Sequence, residues 1–113
     1  MPDNYRRVDL LVKGRESDLW PSLREGVRIL LLEESADGND RTALLRYEPG
    51  ATVPEHLHRG RETIYVLEGS QEDHTGVHTA GTWLSNPPGT RHSIRSPEGC
   101  LVLIHWSRPV EFL

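Results

Sequence analysis

Hydrophobic positions in this chain come in short clusters, and each cluster is closed within a few residues by a chain-breaking signal. Gly26, Asp37-Gly38, Pro49-Gly50, Gly60, Gly69, Thr75-Gly76, Gly81, Pro87-Pro88-Gly89 and Pro97-Glu98-Gly99 supply the breaks. The runs Val27–Glu33, Thr42–Tyr47, Thr63–Glu68, Thr82–Leu84 and Leu101–Trp106 are too short for ordinary helices and rich in β-branched, aromatic and aliphatic residues, which predicts strands. Short strands at this spacing predict an all-β antiparallel sandwich or barrel. Residues 1–25 read differently, as an N-terminal arm with a short turn of helix around Ser17–Leu23, interrupted at Pro21. The arm is expected to lie on the barrel, residues 26–113, or on a second subunit. No repeat, low-complexity tract or linker divides the 113 residues, so one domain is expected.

Composition narrows the class. Apolar residues at 35%, charged residues at 27% and a mean hydropathy of −0.55 describe a water-soluble globular chain. The longest aliphatic run, Ile29–Leu32, is far below the ~20 residues a membrane-spanning helix needs. The start, Met1-Pro2-Asp3-Asn4-Tyr5, does not resemble an export signal, so a cytoplasmic location without membrane contact is expected. A net charge of −4, with the basic residues scattered, argues against a nucleic-acid partner. The single cysteine, Cys100, excludes an internal disulfide, and its apolar surroundings mark it as a core thiol.

The chemistry lies in two spaced segments. The first is Gly50-x5-His56-x-His58-x3-Glu62-x6-Gly69; twelve residues on comes Gly81-x5-Pro87-x-Gly89-x2-His92. In a strand, positions i and i+2 share a face, so His56 and His58 project together. Arg59-Gly60-Arg61 then turns the chain, and Glu62 opens the next strand alongside. Pro87-Pro88-Gly89 forces a tight bend that aims His92, from a distant strand, back into the interior. Three imidazoles and one carboxylate form a ligand set for one divalent transition metal: Zn, Fe, Mn or Ni.

These two segments resemble the two motifs of the cupin superfamily, small double-stranded β-helix (jelly-roll) barrels with a metal inside. One position departs: the family's asparagine after the second motif is Ser96 here, and that residue is not a ligand. More narrowly, Tyr65-Val66-Leu67-Glu68-Gly69, Ala80-Gly81-Thr82-Trp83, Asn86-Pro87-Pro88-Gly89 and Ser96-Pro97-Glu98-Gly99-Cys100 resemble the cupin half of ChrR-type anti-sigma factors. The likeness runs from about Gly26 to Trp106, and by the family's pattern His56, His58, Glu62 and His92 would hold the ion. The helical anti-sigma domain of ChrR-type proteins has no counterpart ahead of this barrel, so sigma-factor capture of that kind is not expected. Arg61 is a second departure, standing where the family more often has an acidic residue; it either guides an anion to the pocket mouth or, as is commoner at an exposed turn, faces solvent.

Other residues receive plainer readings. His74 and His78 flank a turn and read as surface histidines. His105 alternates with Ile104 and Trp106: facing inward it would be a pocket base, and otherwise a hydrogen-bonded structural histidine. Trp83, Tyr65 and Trp106 line either a pocket or the core.

Two classes of function follow. Four protein ligands on an octahedral Fe(II), Mn(II) or Ni(II) leave two positions open, and the cupin resemblance implies a dioxygenase or metal-dependent isomerase acting on a small organic molecule, with Glu62 or His105 moving a proton. The alternative is a non-enzymatic ChrR-like sensor or regulatory module, in which Zn(II) satisfied by the four ligands stabilises the barrel. The edges of an open jelly roll, and the family's habit of pairing, lead to the expectation of a homodimer.

Overall fold

The computed structural model of the protein describes residues 6–113. Within them run ten strands: β1 (Ser22–Arg24), β2 (Val27–Glu34), β3 (Arg41–Tyr47), β4 (Ala51–Leu57), β5 (Glu62–Asp73), β6 (Gly76–Thr79), β7 (Trp83–Asn86), β8 (Arg91–Ser96), β9 (Cys100–Trp106) and β10 (Glu111–Phe112). They pair antiparallel in the order β1-β2-β3-β9-β5-β8-β4-β10, with β6 and β7 branching from β5. The sheet curls because β5 belongs to two layers. Its first half, Glu62 to Gly69, pairs with β9 and β7; its second, Ser70 to Asp73, pairs with β6 and β8. The change of layer falls at Gly69, which has φ +72° and no room for a side chain: an added Cβ would collide with the Gly99 carbonyl.

Strand alternation sorts the apolar side chains to two faces. Val27, Ala43, Leu45, Tyr47, Val53, Ile64, Val66, Ile94, Cys100, Val102 and Ile104 fill the inside of the curl. Their neighbours Leu32, Leu44 and Leu101 point the other way, where the arm covers them with Trp20, Val8 and Leu10. Complete burial of one such leucine contributes about 1.5–3 kcal/mol, so the arm adds a second hydrophobic layer. It packs closely: a Cβ on Gly14 would meet Leu101, and Arg46 holds the arm by donating to the Ser17 hydroxyl at 3.2 Å and the Gly14 carbonyl at 3.0 Å.

The five expected strands all form. The helical expectation moves, however. The α-helix is α1 (Leu10–Gly14), capped by Asp9, whose carboxylate accepts from the Leu11 and Val12 amides. Around Ser17 only a 3-10 turn, Ser17–Leu19, is present. Past Pro21 the chain becomes β1, pairing with β2 inside the segment read as arm.

Candidate metal centre

Two layers contribute to one buried cluster. In β4 the register shifts between Val53 and His56, where Pro54 lacks the amide that regular pairing would use. Past the bulge, His56 stands directly opposite His92 of β8. His58 follows the end of β4, with its amide bonded to the Thr90 carbonyl and its carbonyl to the Gly89 amide, both at 2.8 Å. The bend at Pro87-Pro88-Gly89 therefore fixes His58 as well as His92. Glu62 comes from the facing layer: β5 pairs there with β9 and β7, not with β4, so the carboxylate reaches across the interior rather than from an adjacent strand. His92, expected from a distant strand, is the nearest cross-strand neighbour of His56.

Ligand atoms of His56, His58, Glu62 and His92 all lie within 4.8 Å of one another, and all four residues are buried. Metal bonds of ~2.1 Å hold ligand atoms at most ~4.2 Å apart, so a small contraction suffices. The ring nitrogens are sorted in advance. Nδ1 of His56 donates to the Pro54 carbonyl at 2.9 Å. Thr90 donates its hydroxyl proton to the Pro87 carbonyl, so its oxygen is free to accept from Nδ1 of His58 at 3.0 Å. Nδ1 of His92 donates to Asp73 Oδ2 at 3.2 Å. Each imidazole is thus left with Nε2 for the centre, and Nε2 of His58 and of His92 is buried with no hydrogen-bond partner. They stand 3.2 and 3.5 Å from Glu62 Oε1. Buried lone pairs facing a carboxylate need a cation among them, and outer partners that fix the ring tautomer are what metal-ligating histidines require. The residues fit a divalent metal.

Electrostatics agree. Burial raises the pKa of Glu62, but His58 and His92 outweigh it and hold the carboxyl well below its usual range. Trp106 Nε1 donates to Glu62 Oε2 at 2.8 Å and Asn86 Nδ2 to Oε1 at 3.2 Å, which fixes the carboxylate plane. Burial also lowers the pKa of His56, leaving it neutral. For Asp73, burial is outweighed by the Thr75 hydroxyl and His78, bringing its pKa down to about 2.

His105 is not brought to the site. It points outward and pairs with Asp40 at 3.1 Å, while Ile104 and Trp106 face the interior. His74 is exposed as expected, but His78 is mostly buried and bonds Asp73 at 3.1 Å, one step behind His92. Arg61 lies at the turn and donates to the Ser85 hydroxyl at 2.7 Å. Tyr65 and Trp83 face each other on the outer surface, neither core nor pocket, with Trp83 64% exposed. Cys100 is buried, and burial raises its thiol pKa. The supporting residues Asp73, Thr90 and Asn86 are not among those the sequence singles out for the site. Only Asn86 had a signal, its place just ahead of the proline bend.

The model of the ChrR cupin-like domain matches residues 9–111. The chain belongs to this family. Among solved structures, a chain of the Rhodobacter sphaeroides complex of SigE with the anti-sigma ChrR is 30% identical, with a TM-score of 0.68, over 78% of this chain and 48% of that one. A protein of unknown function with a cupin-like fold from Ralstonia eutropha is 25% identical (TM-score 0.68), over 73% of this chain and 55% of that one. An acetylacetone dioxygenase from Acinetobacter johnsonii matches all of this cupin and 79% of its own chain, at 17% identity and a TM-score of 0.80. Against these partners the cupin spans from about half to four-fifths of their length. None of the curated proteins compared is similar enough to count as a match.

Two predictions concern the cluster. Asp73→Asn should leave the fold intact and weaken zinc binding by roughly 10–100-fold in chelator competition, because His92 loses its orienting carboxylate; unchanged affinity would exclude that role. The second concerns pH. Burial disfavours charge on His92, but Glu62 and Asp73 outweigh it and raise its pKa above the ordinary 6.5. A raised folded pKa stabilises the metal-free barrel fully below 6.5, and the benefit is lost as pH rises through the higher folded value. The melting temperature of metal-free protein should therefore fall as pH rises above about 6.5, while zinc affinity rises as the competing proton leaves. A flat metal-free profile would contradict this.

Proposed function

We propose that this cupin is a metal-dependent enzyme of the oxygenase type, holding one divalent ion through His56, His58, Glu62 and His92 and acting on a small organic molecule. The observation that carries the reading is a cavity of about 220 Å³ whose wall includes both His56 and Glu62, together with Val27, Ile29, Leu45, Ile94 and Trp106. A metal held only for stability has no need of an apolar chamber beside it, whereas a substrate does. When bound, a redox-active ion would supply Lewis acidity and one-electron chemistry toward dioxygen.

The chain's own residues have distinct tasks in this reading. The aliphatic wall excludes water and takes the apolar body of the substrate. Trp106 and Asn86 hold Glu62 so that one oxygen faces the imidazoles. With its pKa depressed, Glu62 is a poor proton carrier and serves as a ligand. Size gives a guide: an apolar cavity of about 150 Å³ admits benzene, so this one, at about 220 Å³, holds roughly ten non-hydrogen atoms. The dioxygenase similar in fold provides a precedent for such a substrate.

The second reading, a zinc-stabilised sensor or regulatory module, is favoured by the family match and by the 30% likeness to the SigE–ChrR complex. Oxygen uptake separates the two. The iron(II)-loaded protein should consume oxygen with at least one member of a panel of β-diketones, catechols and flavonols. No uptake with any of them, in protein shown to hold stoichiometric iron, would favour the sensor.

A further inference from the structure

We infer that Arg24 is the anchor for an anionic group, and that the molecule entering the cavity is a small carboxylate whose apolar body fills the barrel. The inference rests on the reading that the cavity takes a small organic molecule beside the metal centre.

The mouth of the cavity is where its polarity changes. Its inner wall is aliphatic and aromatic, while Arg24, Asn39, Arg41 and Phe112 lie among the residues around it. The cations differ in what they already hold. Arg41 is ion-paired with Glu34 at 2.7 Å and donates to the Gly38 carbonyl. Arg59, beside the same C-terminal strand, is paired with Glu111. Arg24 has no carboxylate partner among the described residues; its guanidinium lies over the Phe112 ring, 5.0 Å from guanidinium carbon to ring centroid, and acts electrostatically on the Tyr47 phenol of the same wall. Stacking on an aromatic face holds a guanidinium in place while leaving its N–H fork free for a carboxylate.

Position links this cation to the chemistry. The Phe112 ring in turn lies 5.6 Å from the ring of His56, so two short contacts separate the guanidinium from a candidate metal ligand. A molecule of the size the cavity admits spans that interval. The strand that carries Phe112 is fixed to β4 by the pairs Glu111–Leu57 and Phe112–His56 and by the Leu113 amide on the Glu55 carbonyl. Arg24 itself is paired to β2 opposite Val27. Both side chains are therefore carried by paired strands, Arg24 at the point where the β1–β2 register shifts after Ser22. The charge balance points the same way. Of the two guanidiniums in the wall, that of Arg41 is already paired with Glu34, and the one carboxylate, Glu62, belongs to the metal cluster, so Arg24 is the cation left for a ligand. A cavity with this lining draws in an anion.

The test uses hexanoate and its neutral isostere hexanamide, titrated calorimetrically into zinc-loaded and metal-free protein. Native protein in both forms should bind hexanoate about tenfold more tightly than hexanamide or better, a difference of about 1.4 kcal/mol. Arg24→Gln should abolish that preference and leave hexanamide binding unchanged, the latter showing that the cavity is intact. Undetectable hexanoate binding, equal affinity for the two probes, or a preference that survives Arg24→Gln would overturn the inference. A preference that survives the substitution only with zinc present would place the carboxylate on the metal instead, and also overturns it. Should the protein bind no metal at all, the metal reading falls, yet a preference lost in Arg24→Gln would still establish the anchor.

Discussion

Placing three imidazoles and a carboxylate together inside a barrel is the constraint on which the other features of this structure depend. Polar groups removed from water must find partners or be neutralised, and the cost rises steeply for a charge. Here every outward-facing imidazole nitrogen is satisfied, by the Pro54 carbonyl, the Thr90 hydroxyl or the Asp73 carboxylate, while the inward nitrogens of His58 and His92 are left bare beside Glu62. Such an arrangement is costly without a cation and favourable with one. The bulge in β4, the proline bend before β8 and the layer change at Gly69 are the means by which two layers deliver four side chains to one point.

The strands that the sequence made legible are those whose inward faces are aliphatic. In Thr42–Tyr47 and Leu101–Trp106 the run of Leu, Val and Ile signals burial directly. β8 is different: its buried positions are His92, Ile94 and Ser96, so the residues that build the site erase the hydrophobic signal of the strand carrying them. β4 is masked in the same way by Pro54 and His56. α1, five residues long, is too short to display a helical period.

The four candidate ligands were legible because their spacing within each segment is local. Which strands pair is not a local property. A turn of three residues predicts Glu62 alongside the histidine strand, but β5 crosses to the other layer, and the carboxylate faces the histidines instead. Asp73 and Thr90 carry no sequence signal for the same reason: nothing near either residue in the chain reports which imidazole it meets. His105 shows the limit of alternation, which correctly set it opposite to Ile104 and Trp106 but could not say which of the two faces looks inward.

An apolar cavity lies beside the cluster, with His56 and Glu62 in its wall. Its wall carries few polar groups, so in the proposed reading orientation of a bound molecule falls to the cluster at one end and to Arg24 at the other. All of this depends on the cluster holding an ion. The most direct measurement is elemental mass spectrometry of protein purified anaerobically without chelator or affinity-column metal, alongside a variant in which His58 and His92 are both alanine. The account predicts close to one transition-metal ion per native chain and none in the folded variant; native protein without metal, or equal metal in both, would contradict it.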